Sequence, residues 1–219
     1  MSGARRRCTE EDRRRVQSHL LRERRRTRRF FSLVAPAFHV IDRRLLPEYR
    51  GALAELDLDP ALTVLDLATG TGTLALAFAE RGHAVTGIDF VPRLLRRARR
   101  RLPGAHMCEM DLAELPSFAD RSFDVAAMGY LLHGLHSVMR RFVLCEAARI
   151  AREHVLVFDY ARPGPWIVRL VEWVEGPHYR TFMRQPFAHH AAEAGLHVMR
   201  RGLVSDVGGW WLLARTPRD

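Results

Sequence analysis

The chain has no lysine and no asparagine, and all 35 of its basic residues are arginine. The two missing residues have the most AT-rich codons. Base composition therefore explains the use of arginine without selection for bidentate phosphate binding. Cysteine is almost absent: Cys8, Cys108 and Cys145 are odd in number and show no C-x-x-C spacing. That excludes a disulfide framework and a zinc site, leaving three free thiols and no expected metal. No apolar run approaches the ~18 residues of a membrane span. The N-terminus Met1-Ser2-Gly3-Ala4-Arg5-Arg6-Arg7 lacks the apolar stretch of a secretion signal. The expected location is the cytoplasm.

What is present is a folded chain of 219 residues, 47% hydrophobic and 27% charged. That is enough for one domain with an attached extension, and too apolar for general disorder. The net charge of +10 is unevenly spread. Residues 1–29 hold twelve arginines against Glu10, Glu11, Asp12 and Glu23, a net of +8, so residues 30–219 carry only +2. Thr9-Glu10-Glu11-Asp12 reads as a helix start, with Glu10 and Glu11 each four residues before an arginine. The predicted product is a helix of about five turns ending before Pro36. Its apolar positions, Val16, Leu20 and Leu21, form a stripe too narrow to bury firmly. Residues 1–29 are thus expected to be an Arg-rich helical or disordered extension. By contrast, the segment from Phe30 to Phe38 is apolar and aromatic and must pack on something.

From residue 62 short β-rich runs alternate with helical periodicity, the pattern of parallel strands joined by crossover helices. Strands are predicted at Thr63–Leu67, Ala84–Asp89, Ala105–Glu109, Phe123–Met128 and His154–Asp159. Helices are predicted over Leu74–Ala79, around Leu94–Leu102 and near Val138–Ala151. A last helix ends at Gly195, a strand lies around His197–Val204, and Gly208-Gly209 precedes Trp210–Ala214 as a closing antiparallel hairpin. Residues 30–219 read as one doubly wound α/β domain, a Rossmann-like, mostly parallel sheet with that hairpin at its C-terminal end.

Ligands in such sheets bind at the carboxyl ends of strands where the strand order reverses. That place is occupied by Asp66-Leu67-Ala68-Thr69-Gly70-Thr71-Gly72, whose glycines permit a sharp turn and close approach of a ligand. Asp66, near the end of the first strand, argues against a pyrophosphate and for a ligand bearing positive charge. Asp89, at the end of the second strand, is placed to accept the hydroxyls of a ribose. Asp111, just after the third, is placed to take an adenine amino group while its apolar neighbours hold the ring. Cation, ribose and adenine together describe S-adenosylmethionine (SAM). Each acid alone also reads as a helix cap or turn residue. It is the set of three, at three successive strand ends beside a glycine turn, that points to a cofactor.

On these residues the sequence resembles the class I SAM-dependent methyltransferases over roughly residues 30–219. Motif I matches Val64–Gly72, followed by Gly87-Ile88-Asp89-Phe90 and Ser122-Phe123-Asp124-Val125. The wording Asp66-Leu67-Ala68-Thr69-Gly70-Thr71-Gly72 is similar to the ubiquinone and menaquinone biosynthesis methyltransferases. Ala68 stands where the superfamily more often has glycine, and Thr73 where the quinone enzymes usually have aspartate. The resemblance implies a seven-stranded sheet and a SAM site formed by Asp66, Ala68, Thr69, Gly70, Gly72, Asp89, Phe90, Asp111, Leu112 and Met128.

Methyl transfer from a sulfonium is an in-line displacement, so positioning and desolvation supply most of the catalysis. A base is needed only where the acceptor must lose a proton. After the fourth strand, Met128–His136 lacks the Asp/Asn-Pro-Pro-Tyr run of base-amine methylation, and Cys145 lies in the following helix, away from any pyrimidine C5 chemistry. His133 is the candidate base, because imidazole exchanges protons near neutral pH. Shaping the cofactor pocket or capping a helix is its competing role. Asp159 and Tyr160 end the fifth strand, where either side chain is placed to enter the cleft or tie down the loop.

Residues 163–187 carry an apolar helix face, Trp166, Ile167, Leu170, Val171, Trp173 and Val174, followed by Glu175-Gly176-Pro177-His178-Tyr179. They suit a lid over a flat or lipophilic acceptor, with Tyr179 among its polar groups, and equally a core helix or dimer interface. His133, Tyr160 and Tyr179 are the candidate catalytic residues. The leading expectation is methyl transfer to a small aromatic or lipid-like acceptor. Two others stay open: a nucleic-acid methyltransferase gripping phosphates through residues 1–29, and a SAM-binding module without turnover. The arginines of residues 1–29 also suit an anionic membrane surface, which would make the protein peripheral at the membrane.

Overall fold

A computed structural model describes residue 16 and residues 28–33, 35, 38–163 and 178–216. Seven strands run in the order β3-β2-β1-β4-β5-β7-β6. They are β1 (Thr63–Leu67), β2 (Ala84–Asp89), β3 (His106–Glu109), β4 (Phe123–Gly129), β5 (Ala151–Tyr160), β6 (Leu196–Leu203) and β7 (Gly208–Arg215). β1 to β5 are parallel, while β7 enters antiparallel between β5 and β6. The expected doubly wound sheet and its closing hairpin are both present. The strand order reverses at the β1–β4 junction, which puts the switch point beside the glycine turn.

Both faces of the sheet are covered, as a parallel sheet requires. Leu65, Leu67, Ala126, Met128, Val155 and Val157 face helices α4 (Ser137–Ile150) and α6 (Phe187–Glu193). Their sequence neighbours Val64, Val125, Ala127, Leu156 and Phe158 face α1 (Phe38–Leu56), α2 (Thr73–Ala79) and α3 (Pro92–Arg101). The period of two within each strand makes this split. At ~2–5 kcal/mol for truncating a buried leucine to alanine, either layer alone has a large share of the stability. Asp124 staples β4 to β1. It accepts from Thr63 N and Oγ1 at 2.8 and 2.6 Å and pairs with Arg152 at 2.8 Å, contacts that lower its pKa to about 2.

The N-terminal part differs from the sequence expectation. α1 is not among the elements expected from the sequence, and it carries Pro47 inside it. The helix forms all the same, since Tyr49, Ala52, Leu53 and Leu56 give it a buried stripe. Residues 28–33 are helical, so the expected division at residue 29 falls within a helical turn. Val16, placed by sequence on a stripe too narrow to bury, is 1% exposed and packs in the cluster with Leu132 and Met128. The apolar segment from Phe30 to Phe38 does find partners: Phe31, Ala35 and Phe38 pack with Phe90, Val91 and Leu94. Within the expected lid, α5 (His178–Met183) is a helix, while Trp166 to Val174 lie outside the described residues.

Candidate active site

The glycine turn closes on itself and on the second strand. Gly72 N donates to Thr69 O at 2.8 Å, and Thr69 N donates to Ile88 O at 2.9 Å. Gly72 has φ +77°, and a Cβ there would lie 3.0 Å from the Ala98 Cβ, so a side chain is excluded by both conformation and space. Ala68 holds φ +56°, where a Cβ is strained by ~1 kcal/mol. The superfamily's preference for glycine at this position has that physical reason.

Asp66 is 1% exposed and accepts from Thr69 Oγ1 at 2.6 Å. Burial pushes its pKa up to about 7 despite that bond and the Ala75 amide at the start of α2. Asp89 accepts from Gly70 N at 2.9 Å and Val91 N at 2.8 Å, and burial raises it to about 6. Asp111 caps the 3-10 turn Leu112–Ser117 in a reciprocal capping box with Glu114. The capping role weighed for Asp111 is therefore present in the structure. It leaves Asp111 buried and fixed at the third strand end. Two desolvated carboxylates beside a tight glycine turn suit a ligand that brings positive charge and hydroxyl donors. SAM carries both, so these residues fit it. Leu112 is half-buried beside the central core. Phe90 packs under the N-terminal aromatics, whereas Met128 is fully buried, so its side chain supplies core and no open surface.

An unforeseen acid completes this side. Asp42, on the buried face of α1, accepts from Thr71 Oγ1 and Thr73 Oγ1, both at 2.6 Å. Its other oxygen lies 3.2 Å from Arg97 and 3.3 Å from Arg101, an ion pairing without hydrogen-bond alignment. A carboxylate from a separate helix thus meets Thr73, where related quinone enzymes usually carry their own aspartate. The available signal was an acid at helical spacing from the apolar stripe Tyr49, Ala52, Leu53 and Leu56.

The opposite side of the cleft is built at the ends of β4 and β5. Asp159 is fully buried and accepts four bonds: from Leu132 N (2.9 Å), His133 N (3.2 Å) and Tyr160 N (2.8 Å), with His133 Nδ1 at 2.7 Å. It ties down the loop and orients the imidazole together. With Nδ1–H donated to this carboxylate, Nε2 is the basic nitrogen. Aromatic edges surround the ring. Tyr160, Tyr179 and Tyr130 have centroids 4.8, 6.3 and 6.4 Å from that of His133, and Tyr160 and Tyr179 are 5.2 Å apart. The three candidates His133, Tyr160 and Tyr179 therefore come together. Tyr130 joins them at φ +50°, an uncommon conformation for a bulky residue. Buried Tyr49 feels the carboxylates of both Asp66 and Asp159, which places it between the two sides.

Arg140 was also missed. It is 1% exposed, donates to the carbonyls of Leu132 and Leu135 at 3.0 and 2.9 Å, reaches His178 O at 3.4 Å, and stacks over Phe182 at 5.1 Å. It thus pins the His133 loop to the helix that presents Tyr179. A cation on the otherwise apolar face Met139-Val143-Leu144-Ala147 was the available signal.

Sheet order, glycine turn and strand-end acids together define a class I SAM-dependent methyltransferase fold. In agreement, residues 64–154 match a family model described as a methyltransferase domain. The chain is similar in sequence to demethylmenaquinone and ubiquinone/menaquinone methyltransferases. It is 32% identical over 139 residues to a demethylmenaquinone methyltransferase of Tropheryma whipplei, covering 62% of this chain and 54% of that one. It is 34% identical over 116 residues to a 2-phytyl-1,4-naphtoquinone methyltransferase of Nostoc sp., covering 48% and 49%. The chain spans about half the length of these curated relatives. Among solved structures, magnesium protoporphyrin IX methyltransferase from Synechocystis with bound SAH shares the fold, with a TM-score of 0.60 at 15% identity, over 80% of this chain and 84% of that one.

Proposed function

We propose that the chain transfers a methyl group from SAM to a small quinol- or phenol-type acceptor, by in-line displacement, with His133 as proton acceptor. The observation that carries this reading is the buried His133–Asp159 pair, ringed by Tyr130, Tyr160 and Tyr179 across the cleft from Asp66. When bound, SAM supplies a methyl group on a positively charged sulfur, an electrophile that needs no further activation. The Asp66, Asp89 and Asp111 set would hold it at the ends of β1, β2 and β3. His133 Nε2 takes the hydroxyl proton of the acceptor, which raises electron density on the ring oxygen and on the ring carbon beside it. Asp159 stabilises the imidazolium that results. The tyrosine rings, set edge to face around His133, form an aromatic surround suited to an aromatic acceptor. Similar proteins named for demethylmenaquinone and 2-phytyl-1,4-naphtoquinone methylation support the same acceptor chemistry.

The test is incubation with methyl-labelled SAM and parallel acceptors: short-chain naphthoquinols, simple phenols and RNA. Label in the quinol, lost in Asp159→Asn, is expected. Label in RNA alone would favour the nucleic-acid reading. SAM binding without label in any acceptor would favour the silent module.

A further inference from the structure

We infer that the outer surface formed by residues 28–33, residues 38–41 and the start of α3 docks on an anionic lipid bilayer. Six large hydrophobic side chains are exposed among the described residues, and three fall within nine positions: Leu33 at 78%, Val40 at 62% and Ile41 at 45%. The inner side of this segment is anchored. The Phe31 and Phe38 rings lie 6.3 Å apart and pack with Val91 and Leu94, so the segment cannot bury its outer aliphatic side chains by turning over.

Charge of one sign sits beside them. Arg28, Arg29 and Arg93 line an open groove of about 560 Å³ with Ser32 and Leu33. Arg93 Nη1 donates to Ser32 O at 3.0 Å, which fixes the groove wall, and Arg28 approaches Glu109 at 3.7 Å with both side chains half exposed. Arg43, Arg96 and Arg100 are exposed on the same two helices, α1 and α3. In sequence the surface follows directly on residues 1–29, whose net charge is +8. Guanidinium groups that meet phosphates next to aliphatic side chains that enter the acyl boundary are what an interfacial surface needs. Nucleic acid fits less well. Single strands are held by stacking on exposed aromatic rings, whereas Phe31 and Phe38 face inward here and the exposed groups are aliphatic. Phe90 belongs to the same aromatic cluster and follows Asp89 directly, so docking would set the cofactor cleft beside the lipid surface.

The experiment is co-sedimentation of the full chain with vesicles of phosphatidylcholine alone or mixed with phosphatidylglycerol, with no methyl acceptor present, so that the result is independent of the acceptor assignment. Binding only to the anionic vesicles, weakening with salt, is expected. Arg29→Gln combined with Arg93→Gln should weaken it by roughly 25-fold, about five-fold per basic residue near the surface. The charge-neutral set Leu33→Ser, Val40→Ser and Ile41→Ser should weaken it by roughly ten-fold or more through lost apolar burial. SAM titration reports whether each variant is folded. A fluorescent amino acid at position 33 gives a second readout in the otherwise native chain: its emission should shift to the blue on anionic vesicles, while one at position 203 should not shift. Equal binding to both vesicle types, variants that bind like the parent, no shift at position 33, or retention of RNA without vesicle binding would each overturn the inference.

Discussion

On the β1–β2 side of the cleft the strand-end acids meet residues close in sequence: Thr69 meets Asp66 three residues away, and Gly70 meets Asp89 nineteen away. Asp42 reaches the same turn from outside it, 29 and 31 residues from Thr71 and Thr73. On the β4–β5 side His133 meets Asp159 twenty-six residues away, and Arg140 reaches His178 thirty-eight away. The first half is shaped by local backbone conformation, by positive φ angles and a strand end. The second half exists only once the sheet has formed and α4 has brought α5 to the loop. A cofactor common to many enzymes needs the first kind of site, and an acceptor peculiar to one needs the second.

Four changes break or sharpen this contrast, and the largest effect is expected on the second side. Asp159→Asn removes the charge that stabilises the imidazolium and sets an amide donor against N–H groups that both carboxylate oxygens accept from, and turnover should fall by on the order of 10²–10³, the usual worth of a positioned base. Calorimetry should find SAM affinity changed by less than a few-fold; a matching loss of affinity would mean that the two sides are not separable. Arg140→Met leaves the carbonyls of Leu132 and Leu135 buried without this donor. It should cost about 3 kcal/mol in urea unfolding, at ~1–3 kcal/mol for each unsatisfied group.

The first side should respond to pH. Burial raises Asp66 to about 7 from 3.8, so the group is largely protonated in the cofactor-free protein below neutrality. A positively charged ligand binds its ionised form better, and SAM affinity should rise by up to ~10-fold from pH 6 to pH 8, an increase abolished in Asp66→Asn. The same raised pKa makes the cofactor-free chain bind more protons folded than unfolded between 3.8 and about 7. This contribution to stability is therefore lost as pH rises through that window. The smallest effect is Ala68→Gly. Relief of ~1 kcal/mol of left-handed strain is partly offset by the greater freedom of glycine in the unfolded chain, for a gain of a few tenths of a kcal/mol in melting experiments.

The same contrast marks what could be read from the residues. The strands, the hairpin at Gly208, and the acids at 66, 89 and 111 follow from short-range patterns: alternation, glycine spacing and position at a strand end. Sequence could name His133, Tyr160 and Tyr179 one by one, but their meeting depends on strand order and on the packing of α5. Asp42 and Arg140 gave only an ambiguous signal, for a related reason. Each is a charged residue on a buried helix face, and only its partners in space tell it from a solvated one.

Asp42 also bears on modularity. The segment that matches the methyltransferase family, residues 64–154, contains Thr71, Thr73, Arg97 and Arg101 but not the carboxylate they converge on. Cut out on its own, that segment would hold two guanidinium groups and two hydroxyls facing a gap where α1 had been. It would also lack most of β5, including every residue of that strand that pairs with β7, and β7 itself. The stretch most easily recognised as a unit of inheritance is therefore not a unit of folding, and a truncation series should lose cofactor binding once the cut passes residue 42, well before it reaches the glycine turn.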